Sequence, residues 1–205
     1  MTLQSDDYIY AEVAAPAGAP LLVLLHGTGG DEHDLIGLGH ELLPGAHLVA
    51  PRGDVSENGA LRFFRRTAEG VYDRGDLARA TEKLASFIRA RIAATGATDI
   101  AALGYSNGAN ILAALLFAAP ELIGRAVLMH PLIPFTPPPQ PGLAGRALLL
   151  TAGRHDPIAP APRTTALADW FAWQGARVET AWHAGGHELR PAEIAAAKAF
   201  LTPPN

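Results

Sequence analysis

Apolar residues in this chain cluster in short runs, and the stretches between them carry apolar residues at helical spacing. Leu21-Leu22-Val23-Leu24-Leu25 is unbroken, the pattern of a strand buried on both faces. Comparable runs recur near 46–50, 98–103, 126–130, 146–152 and 177–182. Helical patterns fill the gaps near 31–43, 76–94, 107–118, 160–174 and 191–201. Alternating strands and helices predict an α/β fold, with a mostly parallel twisted sheet and helices on both faces. Tyr8–Val13 reads as an edge strand, followed by a Pro/Gly turn over Pro16–Pro20. Gly75-Asp76 ahead of Leu77 reads as the N-cap of the long helix. The proline-dense stretch Pro134–Pro141 could pass for a linker. The strand pattern resumes beyond it, so a rigid loop within a single domain spanning 1–205 is expected. There is no internal repeat and no insertion long enough for a large lid.

The junction between the run 98–103 and the helix pattern after it reads Gly104-Tyr105-Ser106-Asn107-Gly108. G-x-S-x-G at a strand-to-helix turn is the nucleophile elbow of α/β-hydrolases. Glycines flank a turn too tight for side chains, and the turn lifts the serine hydroxyl above the sheet. Such an elbow calls for an acid and then a histidine later in the chain. Asp156, in Gly153-Arg154-His155-Asp156-Pro157, follows one strand pattern, and His187, in Ala184-Gly185-Gly186-His187, follows another. Open α/β sheets place their sites beyond the carboxyl ends of strands. Ser106 is thus the candidate nucleophile, His187 the candidate base and then acid, and Asp156 the carboxylate orienting it. Several rivals fit less well. His183 lies on or at the end of its strand, and His155 adjoins Asp156 too closely to face it. His130 ends a strand before a proline and reads as structural. Asp169 belongs to a helix pattern as a solvated position, and Glu188 neighbours His187 and points away.

The oxyanion hole requires two backbone N–H groups. One is that of Asn107, after the serine; the other comes from the loop after an early strand. His26-Gly27-Thr28-Gly29-Gly30 supplies that loop. Thr28 is the favoured donor and Gly29 its near rival, with His26 anchoring the loop.

Residues 51–75 are the least regular and mix Arg52, Phe63, Phe64, Arg65, Arg66 and Tyr72. Phe63 and Phe64 are the substrate-binding candidates, with a satellite core as the other reading. Adjacent residues of an extended segment point apart, so at most one would line a pocket.

At 205 residues, with 49% hydrophobic and 18% charged residues, the chain can bury a substantial core. Its net charge of −4 points to neither nucleic acid nor a membrane as partner. No cysteine is present, which removes thiol catalysis, disulfides and thiolate metal sites. There is no G-K-[ST], no G-x-G-x-x-G and no H-E-x-x-H, so no cofactor and no metal are expected. The acidic start Met1–Asp7 does not read as a secretory signal and no run would span a bilayer, so a cytoplasmic location is expected. The partner expected is a small-molecule ester, and a homodimer is compatible with the sequence.

The chain resembles the phospholipase/carboxylesterase family of α/β-hydrolases, which includes the acyl-protein thioesterases. Leu25–Glu32 resembles the family's oxyanion loop, and Gly104–Asn110 the nucleophile segment of its bacterial carboxylesterase branch. Pro51-Arg52-Gly53, Glu57-Asn58-Gly59 and Arg62–Arg66 resemble that branch as well. The thioesterase branch more often has Gln at Asn107 and Leu-Gly at Thr28-Gly29. The resemblance implies a serine esterase working through an acyl-enzyme. The alternatives are a thioesterase, lysophospholipase or peptidase on the same scaffold, or a hydrolase-fold binding protein with little turnover.

Overall fold

The computed structural model describes residues 2–4 and 8–202; Met1 and Ser5–Asp7 of the acidic start lie outside the described residues. The strands are β1 Thr2–Gln4, β2 Ile9–Val13, β3 Leu21–Leu25, β4 His47–Pro51, β5 Val55–Glu57, β6 Ala60–Arg62, β7 Arg66–Ala68, β8 Val71–Tyr72, β9 Ile100–Tyr105, β10 Arg125–Met129, β11 Ala147–Gly153 and β12 Arg177–His183. The helices are α1 Ile36–Leu42, α2 Arg74–Thr95, α3 Asn107–Ala118, α4 Ala161–Trp173 and α5 Pro191–Leu201.

Eight strands form one sheet in the order β1-β2-β4-β3-β9-β10-β11-β12. β1 and β2 are antiparallel to their neighbours, and every pairing from β4 to β12 is parallel. Tyr8–Val13 was expected at the edge, but β1 pairs outside β2 and takes that place. β1 is three residues long and half exposed, so it carries little apolar signal.

Strand alternation divides the core between the two faces. Leu21, Val23 and Leu25 of β3 pack with α2, α3 and α4, whereas Leu22 and Leu24 pack with α1 and α5. This is the α/β-hydrolase fold. α2 is capped by Asp73, whose carboxylate accepts the N–H of Asp76 at 3.0 Å. The expected cap at Gly75-Asp76 is therefore displaced. Asp76 sits inside the first turn and accepts the Arg65 N–H at 2.7 Å. Residues 55–72 form two small hairpins, β5-β6 and β7-β8, above the sheet's carboxyl edge. Among the described residues no helix is long and apolar enough to cross a membrane.

Candidate active site

β9 runs directly into α3, and Ser106 between them adopts φ 51° and ψ −111°. A positive φ is costly for a non-glycine residue and persists only where its surroundings hold it. Here the Ser106 N–H donates to the Met129 carbonyl at 2.9 Å, tying the turn to β10. A Cβ on Gly104 would overlap the Gly108 carbonyl, and one on Gly108 would overlap the carbonyls of Leu25 and His26. The two glycines thus allow β9, α3 and β3 to meet closely enough to make the elbow.

The three residues expected to act together do converge. His187 Nε2 lies 2.8 Å from Ser106 Oγ. Its Nδ1 lies 2.7 Å from Asp156 Oδ2. The other Asp156 oxygen accepts the N–H groups of Ile158 at 2.8 Å and Ala159 at 2.9 Å. Burial pushes the Asp156 carboxyl upward, but the bonds from Ala159, His130, His187 and Ile158 outweigh it and hold it below the usual range. Asp156 is therefore ionised. The Tyr105 hydroxyl donates to the His187 carbonyl at 2.8 Å and steadies the histidine's loop.

The rival residues are occupied elsewhere. His155 is exposed and its Nδ1 bonds the Ala184 carbonyl. Asp169 is exposed on α4. Glu188 pairs with Arg190. His183 ends β12 and faces Glu193 at 3.4 Å.

His130 holds a place the sequence did not show. It is fully buried, and its Nδ1 lies 2.8 Å from the same Asp156 oxygen that His187 uses. Its Nε2 approaches Glu193 of α5 at 3.3 Å. Glu193 is itself buried and accepts the Thr151 hydroxyl at 2.6 Å and the Arg190 N–H at 2.6 Å. Burial pushes His130 down, but its bonds to Glu193 and Asp156 outweigh that and raise it overall. His130, His183 and Glu193 bring possible ligand atoms close together. However, the Gly185 N–H donates to His183 Nδ1 at 3.0 Å, which puts the His183 proton on Nε2. The trio is thus committed to hydrogen bonding and fits a metal ion poorly. The only sequence signal for Glu193 was its place three residues into α5, where a glutamate can reach back to cap the backbone N–H of Arg190.

The loop after β3 is fixed by the hairpin segment. His26 accepts the Gly53 N–H at Nε2 (2.9 Å), so its Nδ1–H donates to the Gly27 carbonyl at 2.7 Å. Burial keeps His26 below its ordinary value, in keeping with a neutral ring. Arg52 grips Glu32 at 2.5 and 2.7 Å and holds that carboxyl down at about 2. The Gly29 N–H donates to the Leu61 carbonyl at 2.9 Å, and Arg62 Nη1 donates to Thr28 Oγ1 at 2.6 Å. The Asn107 side chain accepts the Phe63 N–H at 2.8 Å.

A cavity of about 290 Å³ opens at Ser106 and His187, lined also by Thr28, Arg62, Arg66 and Tyr72. Phe63 and Phe64, expected to bind substrate, do not line it. Both are completely buried. Phe63 packs against His26 and Tyr8, and Phe64 against Tyr72. They anchor the hairpins to the core, because a two-stranded hairpin has little stability of its own. The segment instead presents Arg62, Arg66 and Tyr72 to the cavity.

No family model matches the chain. It is 41% identical over 180 residues to the Bacillus subtilis (strain 168) protein named "Putative hydrolase MhqD", spanning 87% of this chain and 90% of that one. The chain belongs to the phospholipase/carboxylesterase family of α/β-hydrolases. Among solved structures, this family member is similar to the Agrobacterium tumefaciens str. C58 protein Atu2452 of unknown function, with 54% identity, TM-score 0.90 and 96% of each chain covered. It is also similar to the Bacillus cereus carboxylesterase, with 37% identity, TM-score 0.86 and 92% and 91% of the two chains covered. It is an esterase-type hydrolase.

Proposed function

We propose that the protein is a serine carboxylesterase that cleaves small carboxylic esters through an acyl-enzyme. The observation that carries this reading is the unbroken line of hydrogen bonds from Asp156 through His187 to Ser106 Oγ, at 2.7 and 2.8 Å. Ser106 Oγ attacks the ester carbonyl carbon while His187 Nε2 takes the hydroxyl proton. Asp156 holds the ring with Nδ1–H towards itself and stabilises the imidazolium that forms. The carbonyl oxygen becomes an oxyanion and takes the N–H groups of Thr28 and Asn107. The involvement of Gly29 N–H with Leu61 supports Thr28 as the second donor. His187 then protonates the departing alcohol, leaving the acyl group on Ser106. Water attacks that ester with His187 again as base, and the acid departs. A protein that only bound small molecules would need neither the strained serine nor the aligned imidazole.

The test is hydrolysis of p-nitrophenyl acetate by the wild-type protein and by Ser106→Ala. Turnover by the first, reduced by roughly 10⁴–10⁶ in kcat in the second, is expected. Equal rates, or no turnover by folded wild-type protein, would contradict the reading.

A further inference from the structure

The cavity beside Ser106 has an unusual wall. Arg62 is 3% exposed, yet it faces a space that a small ester must enter. Its Nε reaches the Phe64 carbonyl at 3.3 Å, and Glu57 stands 3.3 Å from the same nitrogen. Its Nη1 holds Thr28 Oγ1. Among the described residues, Nη2 bonds no protein group. Arg66 differs, because its Nε and Nη2 are both engaged by Glu57 and its Nη1 by Glu69. Of these four charged groups, Arg62, Arg66 and Glu69 line the cavity and Glu57 bridges both arginines from behind it, so the charges balance and what sets the wall apart is the uncommitted Nη2 donor of Arg62. Burial first, and then the neighbouring Arg66, push Arg62 down from its ordinary value against the pull of Glu57 and Glu69. Arginine nevertheless stays charged in proteins.

We propose that Arg62 is an anion-binding subsite, and that the enzyme prefers esters whose acid part carries a second, free carboxylate: half-esters of short dicarboxylic acids. This rests on the esterase reading above. A guanidinium offers directed N–H donors matched to a carboxylate, and the burial of this one leaves little water to compete for them. Arg62 is bonded to Thr28, whose N–H is assigned to the carbonyl oxygen. The anion is therefore held on the oxyanion side of the scissile bond, away from His187, which serves the leaving alcohol. That places the charge on the acyl portion and close to the reacting carbonyl. A neutral acyl chain of similar length would leave the Nη2 donor unpaired.

The experiment compares kcat/KM for monoethyl succinate, diethyl succinate and ethyl butyrate, with O-butyrylglycolate carrying the charge on the alcohol side. Monoethyl succinate is expected to exceed ethyl butyrate by roughly 10–100-fold, the worth of one hydrogen bond to a charged group. That ratio should fall towards one in Arg62→Met and survive in part in Arg62→Lys. Because Arg62 also steadies Thr28, the ratio of the two substrates, rather than either rate, is the measurement. Binding to Ser106→Ala separates this proposal from the esterase reading. Calorimetry should show monoethyl succinate bound at least tenfold more tightly than ethyl butyrate, and weakening as salt rises. Failure of ester turnover with that binding preference intact would overturn the esterase reading alone. Rates within threefold for monoethyl succinate and ethyl butyrate, or a preference for O-butyrylglycolate over monoethyl succinate, would overturn the subsite. So would a substrate ratio unaltered in Arg62→Met. If Arg62→Met does not fold, the wild-type ratio and the salt dependence decide alone.

Discussion

One oxygen of Asp156 serves two histidines: Oδ2 lies 2.7 Å from His187 Nδ1 and 2.8 Å from His130 Nδ1. The two rings stand 5.0 Å apart, and the far side of His130 meets the buried carboxylate of Glu193. Among the described residues, no lysine or arginine pairs with Asp156 or Glu193. The charge that compensates these two buried anions is therefore carried by imidazole.

The stability of this network depends on pH with a definite sign. His130 titrates above its ordinary 6.5, so its contribution is full below that value and is lost as pH rises through the folded value. Asp156 and Glu193 titrate below their ordinary 3.8 and 4.5, so theirs are full above those values and are lost as pH falls through the folded ones. All three contributions are complete between about pH 4.5 and 6.5. The Tm advantage of wild type over His130→Asn should peak in that window and narrow on both sides. A difference independent of pH would count against the charged network.

Removing the His130 ring altogether should be severe. In His130→Ala, Asp156 keeps only His187 and the two backbone N–H groups, and Glu193 loses its nearest cation. Breaking a buried ion pair by deleting one partner costs about 3–5 kcal/mol. Urea unfolding should show a loss of that size. A loss below about 1 kcal/mol would mean that His130 is neutral and dispensable.

Phe63→Ala and Phe64→Ala should act on stability rather than on substrate choice. Both rings are fully buried, and truncating a buried phenylalanine costs about 3–5 kcal/mol. Acyl-length profiles of the two variants should match wild type where the proteins remain folded. A changed profile with unchanged stability would return these rings to the pocket.

The elbow should tolerate no side chain at Gly108. Its Cβ would meet the backbone carbonyls of Leu25 and His26, which cannot turn aside as a flexible side chain could. Gly108→Ala should therefore be insoluble, or folded with kcat lowered at least about 100-fold, as expected when a reacting group shifts by an ångström. Soluble Gly108→Ala with wild-type kcat would show that the close approach is not needed.

The parallel sheet and the placing of Ser106, Asp156 and His187 were legible because each depends on local pattern. Buried strands advertise themselves as apolar runs, and loops at their carboxyl ends follow from the chain direction. Two contacts were hidden because they join residues distant in sequence. His130 and Glu193 stand 63 residues apart and meet only when α5 packs beneath the sheet's edge. Arg62 reaches Thr28 across 34 residues. Phe63 and Phe64 looked like pocket residues because an irregular segment carries no periodicity to show which way its side chains face. β1 escaped notice because a short, half-exposed edge strand needs few apolar residues.

The central claim is that Ser106 is the nucleophile activated by His187, and a covalent probe reads it most directly. A fluorophosphonate should add once to the intact wild-type protein, and peptide mapping should place the adduct on Ser106. Ser106→Ala should take no label, and His187→Ala should label far more slowly. An adduct on any other residue, or wild-type labelling no faster than that of His187→Ala, would contradict the account.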